Sequence, residues 1–475
     1  MKKINKSSIK KIVLATLFTF FAVYAITVGI RAYQIRKINT VPELSYSDMM
    51  ELESVLNSEF PNRNEIIKKL PYETKKIELP VLAKSAIVID ATNGNILYEK
   101  NSEQIIPPAS MTKIAVMYVV FQEIEKGKIS LNDVVPLPPD TWACNMPPHS
   151  SLMFLGKNQK VTLEELLLGL AVASGNDAAH AVANYVCGSM EAFIERMNFE
   201  VEKLGLTHTH FVEASGYSEK NTTTAKEMAT LAKVYLEKYP ESLVKFHSAL
   251  SITYPQEKNL APENKGLPRA QDFSNGLPEH ITMGIYQKNT NPLLGKLNGC
   301  DGLKTGYIDE SGYNLALTVK RGKMRIISVT MGGPGNNVNE GQAGRTADGT
   351  TITEWAFSTF ADYENPMLMR AYNIPLVKAK QTRISLIPAW KPKALTIPVK
   401  IAENPENAEN EVKINLELPK MIKGNVKAGN IYGKIEYFLG GKKLQSIPLV
   451  AQQNVKQASL WIRFADLVAS AVLYF

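Results

Sequence analysis

At 475 residues the chain is too long for one simple core, so at least two domains are expected. Its composition is that of an ordinary globular protein, 45% hydrophobic and 21% charged, and three scattered cysteines (Cys144, Cys187, Cys300) with no CxxC and no Cys/His cluster exclude a disulfide-dense scaffold and argue against a metal site. The net charge of +8 comes from the C-terminal part: residues 365–475 carry 16 Lys and Arg against 7 Asp and Glu, with no recognisable nucleic-acid module, so a basic face toward an anionic membrane fits better than nucleic acid.

The chain opens with Lys2, Lys3, Lys6, Lys10 and Lys11 ahead of an uncharged run from Ile12 to Ile30. That run is close to the ~20 residues needed to span a bilayer, and the basic flank keeps its start in the cytoplasm. Val23-Tyr24-Ala25 offers a signal-peptidase cut, but the apolar run continues past it, which favours an uncleaved anchor. Either way the rest is exported. Residues 38–76 are polar, with a short helical stretch near Tyr46 to Leu56, and read as a spacer.

A domain then opens with a hairpin. Ser85-Ala-Ile-Val-Ile-Asp-Ala is a strand, Asn93-Gly94 a turn, and Ile96-Leu-Tyr-Glu the return. Pro107 and Pro108 mark where the next helix can begin, and Ile114 to Glu125 is long and apolar enough to be buried. Ser110 falls in its first turn, with Lys113 three residues on and on the same face. A serine hydroxyl needs a base to become a nucleophile, and a lysine can serve once its amine is neutral. The pair alone is weak, because Ser7/Lys10, Ser8/Lys11 and Ser242/Lys245 share the spacing; an N-cap serine beside a solvated lysine would look the same.

Thr162-Leu-Glu-Glu165 is a capping box for a helix that breaks at Ser174-Gly175-Asn176, and a second helix runs from Asp177 to Gly188. Further helices are expected from Met190 to Leu204 and from Ala225, the latter capped by Thr224 and Glu227. Leu250 to Gly284 reads as a long irregular loop. Asp301-Gly-Leu-Lys304-Thr305-Gly306-Tyr307 leads into strands Tyr313 to Lys320 and Met324 to Met331; Arg345 follows a Gly-rich loop, and a helix around Thr351 to Phe360 closes the domain. Strands, a helical block and strands again predict an α+β fold with helices on an antiparallel sheet.

Beyond Asn373 the pattern becomes short alternating segments, Thr382 to Ile387, Lys393 to Ala402, Lys413 to Leu418 and Gly433 to Phe438, which predict a small all-β domain with an acidic turn at Asn404 to Glu411. The last segment puts Leu460, Trp461, Phe464, Leu467, Val468, Ala471, Val472 and Phe475 on one helical face and Ser459, Arg463, Asp466 and Ser470 on the other. Such a helix suits a membrane interface; a terminal helix packed on the β domain is the alternative. The domains expected are residues 1–37 (signal or anchor), 38–76 (spacer), 77–365 (catalytic), 366–453 (β) and 454–475 (amphipathic helix).

Ser-x-x-Lys, Ser-x-Asn and Lys-Thr-Gly, in that order and in an exported chain, are far more specific together than singly. With Ile87-Val-Ile-Asp-Ala, Pro108-Ala-Ser-Met-Thr-Lys, Ser151-Leu-Met-Phe-Leu, Ser174-Gly-Asn-Asp-Ala, Asp301-Gly-Leu-Lys-Thr-Gly-Tyr and Gly312-Tyr-Asn-Leu, the chain resembles the low-molecular-mass, membrane-bound penicillin-binding serine D-Ala-D-Ala carboxypeptidases. The resemblance implies a penicillin-binding/β-lactamase-like domain followed by the β domain and helix, and no cofactor. It implies that Ser110 is the nucleophile, Lys113 its base, and that Ser174 and Asn176 relay protons and hold the substrate. Lys304, Thr305 and Gly306 would bind the substrate carboxylate from a strand, with Arg345 nearby, and the Ser110 N–H would join the oxyanion hole. Peptidoglycan stem peptides, β-lactam antibiotics and the membrane surface are the implied partners, on the periplasmic side of a bacterial cell membrane. Alternatives of the same fold are a β-lactamase, a D,D-endopeptidase and an inactive peptidoglycan-binding homologue. Tyr307 stands where some relatives have His, and Cys144 and Cys300 lie near the motifs.

Overall fold

The computed structural model describes residues 6–37, 43–262, 276–398 and 412–474. Its helices are α1 (Lys6–Lys37), α2 (Tyr46–Glu59), α3 (Lys113–Glu125), α4 (Leu163–Val172), α5 (Asn176–Cys187), α6 (Met190–Lys203), α7 (Ala225–Lys238), α8 (Val338–Thr359) and α9 (Leu460–Tyr474). The chain divides into two compact units, one of Ile66–Asp362 with Thr396–Val399, the other of Met1–Glu65, Tyr363–Leu395 and Lys400–Phe475.

The first unit is built on a six-stranded sheet in the order Lys68–Lys69, Asn95–Lys100, Ser85–Asp90, Met324–Gly333, Gly312–Arg321, Cys300–Ile308. All neighbours are antiparallel except the two-residue strand Lys68–Lys69, which runs parallel to Asn95 and Ile96. Ser85–Asp90 is buried at every position, as a strand covered on both faces must be. Successive side chains point to opposite faces. Ile87 and Ile89 join Ile327 and Val329 in a core with α3, α4, α5, α6 and α7, whereas Ala86 and Val88 pack with Ile326 and with Ile352 and Ala356 of α8. The α+β expectation is met, with helices on both faces.

Local signals account for most element ends. Gly94 turns the hairpin at φ +74, and a side chain there would collide with the Ile66 carbonyl, 2.0 Å from the Cβ position. Thr162 and Glu165 form the capping box at α4, Thr224 accepts from the Glu227 N–H at α7, and Gly188 stops α5 at φ +84.

Several expectations change. Leu250 to Gly284 is not wholly irregular: Ser251–Tyr254 and Ile285–Lys288 pair as an antiparallel ladder, and residues 263–275 lie outside the described residues. Ser110 sits in a 3-10 turn, Ala109–Thr112, just ahead of α3. Arg345 belongs to α8, not to a loop before a shorter helix: Asn337 caps it by accepting from the Glu340 N–H, and Gly341 and Gly344 lie inside it. Close packing explains the first of these glycines, since a Cβ on Gly341 would strike the Tyr313 ring.

In the second unit a six-stranded sheet has the order Lys413–Glu417, Ile431–Leu439, Lys442–Ala451, Arg383–Pro388, Tyr372–Val377, Ile422–Lys423. The sequence pattern missed Lys442–Ala451, where Pro448 reads as a strand breaker, and Tyr372–Val377, where Pro375 does the same. The expected strand Lys393 to Ala402 is observed as Leu395–Pro398; Thr396 belongs with the first unit, where its hydroxyl donates to Asp90 Oδ2 at 2.5 Å. The acidic turn at 404–411 is outside the described residues. Within residues 38–76, Leu52 and Leu56 of α2 pack with Ala389, Ala428 and Val450.

α9 forms where expected, but Asp466 is not on a solvated face. It is fully buried and paired with Arg31 of α1, while Leu460, Phe464, Leu467 and Val468 are exposed. The side chains of Val472 and Phe475 are outside the described residues.

Asp177 fixes the loop ahead of α4. Its buried carboxylate accepts from the N–H groups of Met153 (2.8 Å), Phe154 (2.8 Å), Leu155 (2.9 Å) and Ala178 (2.9 Å). Each buried donor left unpaired costs about 1–3 kcal/mol, so Asp177→Ala is expected to destabilise the first unit by about 3 kcal/mol or more. A thermal melt of the variant superimposing on that of the parent would disprove this anchoring.

Candidate active site

Pro107 and Pro108 bring the chain to the turn Ala109–Thr112, and Asn314 holds it by donating to the Pro107 carbonyl at 3.0 Å. Residues three apart eclipse in a 3-10 turn, so Ser110 and Lys113 lie side by side. Lys113 Nζ donates to Ser110 Oγ at 3.1 Å. Ser110 is partly exposed; Lys113 is completely buried. The same amine donates to Asn176 Oδ1 at 2.9 Å and to the Ser215 carbonyl at 2.5 Å.

Ser174 sits between α4 and α5 at φ +60, a left-handed conformation that is costly for a side chain other than glycine. Such strain persists only where the surroundings enforce it. Here Asn176 N–H donates to the Ser151 carbonyl at 2.7 Å and Asp177 ties down residues 153–155. Lys304, from the edge strand Cys300–Ile308, donates to Ser174 Oγ at 3.0 Å and to the Thr305 carbonyl at 2.9 Å. Thr305 Oγ1 donates to Thr290 Oγ1 at 2.8 Å. A Cβ on Gly306 would lie 2.5 Å from the Pro108 carbonyl and 3.1 Å from the Ser110 nitrogen, so the Lys-Thr-Gly strand presses directly on the serine turn. Arg345 is buried, donates to the Gly306 carbonyl, and stacks 4.9 Å over Tyr313. Tyr313 in turn lies 4.3 Å from the Tyr307 ring.

The structure thus brings together Ser110, Lys113, Ser174, Asn176, Lys304, Thr305, Gly306 and Arg345. Burial holds the Lys113 amine down at about 7, against the pull of Glu213 and Asp177. Burial, with the Lys113 and Arg345 charges, holds Lys304 well below the usual lysine range. Arg345 is also lowered by burial, to about 10, and stays charged at neutral pH.

Sequence reasoning missed the residues that support this cluster. Glu213 Oε2 accepts from the Ser215 N–H (2.6 Å) and hydroxyl (2.5 Å), and its Oε1 from the Gly216 N–H (2.7 Å) and Asn221 Nδ2 (2.9 Å). That turn aims the Ser215 carbonyl at Lys113. Gly216, at φ +77, leaves no room for a side chain: its Cβ would be 2.0 Å from the Ala109 carbonyl oxygen. His247 lies behind the Lys304 strand, bonded to Tyr235 OH at 3.0 Å and the Leu303 carbonyl at 3.2 Å, and burial keeps it neutral by pushing it down to about 3. A lone Glu, His or Gly gives no periodic signal; only the Ser-Gly pair after Glu213 hinted at a turn. All three cysteines are free thiols, and burial pushes Cys300 up to about 11, away from reactivity.

Residues 72–335 match the family described as D-alanyl-D-alanine carboxypeptidase, and residues 372–457 match the C-terminal domain of penicillin-binding protein 5. The chain is 32% identical over 382 residues to D-alanyl-D-alanine carboxypeptidase DacF of Bacillus subtilis, covering 80% of this chain and 88% of that protein. It is 31% identical over 399 residues to DacC of Escherichia coli, covering 82% and 89%. The crystal structure of penicillin binding protein 5 from Haemophilus influenzae aligns with a TM-score of 0.64 at 28% identity, over 81% of this chain and all of that one.

A protonated Lys113 cannot take a proton from Ser110. The rate at which an acylating probe labels Ser110 is therefore expected to rise with pH through about 7 and to fall roughly tenfold per unit on the acid side. A rate constant that stays flat from pH 5 to 9 would exclude Lys113 as the base.

Proposed function

We infer the reaction from one premise: this chain belongs to the D-alanyl-D-alanine carboxypeptidase family, which it matches over more than half its length. It is a penicillin-binding-type enzyme, and we assign it the removal of the terminal D-alanine from peptidoglycan stem pentapeptides. The observation that carries the assignment is one buried amine, Lys113 Nζ, bonded at once to Ser110 Oγ and Asn176 Oδ1, with Lys304 reaching Ser174 alongside.

In the proposed cycle neutral Lys113 accepts the Ser110 proton as Ser110 Oγ attacks the carbonyl between the two D-alanines. The Ser110 N–H, in the first turn ahead of α3, faces the developing oxyanion. Ser174, bonded to Lys304, hands its proton to the departing D-alanine amine and regains one from Lys113, so that the proton taken from Ser110 leaves with D-alanine; Asn176 holds the peptide backbone. Water then hydrolyses the ester on Ser110. Lys304, Thr305 and Arg345 select the terminal carboxylate, two by charge and Thr305 by its hydroxyl. The strand Cys300–Ile308 is the last in its sheet, so an extended peptide can lie along its free edge. β-Lactams, whose ring carbonyl mimics the scissile amide, would acylate the same serine.

The helix Ser7–Arg36 is long and apolar enough to cross a membrane. Lys10 and Lys11 at its start support an orientation with the catalytic unit on the far side from the cytoplasm. We assign residues 77–365 to catalysis and 366–453 to the supporting β domain.

The experiment is release of D-alanine from a peptide ending in D-Ala-D-Ala, with Ser110→Ala as control. Release by the parent that disappears in the variant is expected, together with a penicillin adduct mapped to Ser110; undiminished release by Ser110→Ala would overturn the mechanism. Loss of a hydrogen bond to a charged group costs about 1.5–3 kcal/mol, so Arg345→Ala should lower kcat/KM by roughly 10- to 100-fold with little change in melting temperature. Unaltered kcat/KM would remove Arg345 from substrate binding.

A further inference from the structure

The second unit contains a buried ion pair that no step of the reaction uses. Arg31 of α1 meets Asp466 of α9 in a two-pronged bond, Nε to Oδ1 and Nη2 to Oδ2, both at 2.7 Å. Neither side chain is exposed. Each makes a further bond: Arg31 Nη2 also donates to the Ala379 carbonyl at 3.0 Å, and Asp466 Oδ2 also accepts from the Lys378 N–H at 2.6 Å. A carboxylate at this depth, deprived of its guanidinium, would be a lone buried charge.

The contact continues along α1. Arg383 Nη2 donates to the Ile35 carbonyl at 2.8 Å, and the Ile35 side chain is buried. Toward the start of the helix, Trp461 packs edge-on against Phe20 and Tyr24, with ring centroids 4.7 and 4.9 Å away. Phe20, Tyr24, Arg31 and Ile35 recur at helical spacing and so form one face of α1. On α9 the facing positions include Ala465 and Ala469, both wholly buried, and such small residues allow helices to approach closely. The opposite face of α9 exposes Leu460, Phe464, Leu467 and Val468, beside a helix whose own apolar stretch is mostly exposed. A surface of that kind is matched by lipid acyl chains.

We propose that α1 remains attached to the exported protein and pairs with α9 as a single two-helix membrane anchor, clamped by Arg31 and Asp466. The aromatic contacts are what argue for retention. Phe20 and Tyr24 lie on the N-terminal side of the Val23-Tyr24-Ala25 cut, so cleavage there would strip Trp461 of both partners. The proposal rests on the second unit alone and stands or falls independently of the reaction at Ser110.

The test uses the full chain in membranes, with Cys144, Cys187 and Cys300 replaced by serine. A Tyr24→Cys/Trp461→Cys pair should be joined in most chains by a short bis-maleimide, whereas Phe18→Cys/Trp461→Cys should not, because Phe18 faces away and is 78% exposed. Mass spectrometry should recover peptides from residues 7–25 in the membrane-bound protein. Asp466→Asn should cut the 24/461 linkage several-fold, and the Arg31→Leu/Asp466→Leu double variant, which leaves no unpaired charge, should restore it. A mature chain beginning at Ile26, or equal linkage at positions 18 and 24, would overturn the proposal.

Discussion

The site depends on a lysine amine buried next to a serine hydroxyl. Taking an ammonium out of water is costly, and the cost appears as the lowered affinity of Lys113 for its proton. A neutral amine has two hydrogens and one lone pair, and three oxygens surround it: Asn176 Oδ1 and the Ser215 carbonyl accept the hydrogens, and Ser110 Oγ lies within bonding distance of the lone pair. They come from the turn before α3, the break before α5 and the loop before α7. The rest of the first unit can be understood as a scaffold that brings those three segments to one point.

Bringing them together leaves little tolerance. Gly306 and Gly216 press on the serine turn from two sides, each where a Cβ would meet backbone atoms that cannot move aside. Polar side chains then hold the loops: Asp177 collects N–H groups from residues 153–155, Glu213 those of Ser215 and Gly216, and Asn314 links the Pro107 carbonyl to the Gly332 N–H. Ser174 can keep its left-handed backbone because its neighbours are fixed in this way. The geometry of this cluster is a matter of backbone contact as much as of side-chain chemistry.

What was legible in the sequence follows from range. Ser110 and Lys113 are three apart, and the Thr162 capping box and the Asn93-Gly94 turn are local, so their spacing carries their structure. Three motifs in order allowed the resemblance to be stated, and with it Ser174, Asn176 and Lys304, which no local rule would have joined to Ser110. Long-range partners were invisible: Glu213 and His247 act through contacts that leave no periodic trace, and Arg345 was placed in a loop because Gly341 and Gly344 look like helix breakers until the Tyr313 ring beside the first is seen. Pro375 and Pro448 concealed two strands for the same reason. Asp466 is the clearest case, a residue that reads as solvated on its own helix and is buried only because Arg31, 435 positions away, meets it.

The charges around Ser110 bear on selectivity. The contacts made by Lys304 are with the Ser174 hydroxyl and the Thr305 carbonyl, and those of Arg345 with the Gly306 carbonyl and the Tyr313 face; these oxygens and this ring carry no full negative charge. Lys304 is accordingly held low by burial and by two neighbouring cations. A peptide ending in a free carboxylate would supply the anion that this arrangement lacks, and a nearby negative charge raises a lysine's affinity for its proton. Under the proposed reaction, substrate binding therefore favours the charged form of Lys304, while Lys113, whose lowering is due chiefly to burial, is already out of contact with water. A peptide amide would bring no such charge. The preference for a free C-terminus would then come from the same burial that makes the serine reactive, because a site that keeps one lysine neutral leaves the other in want of an anion.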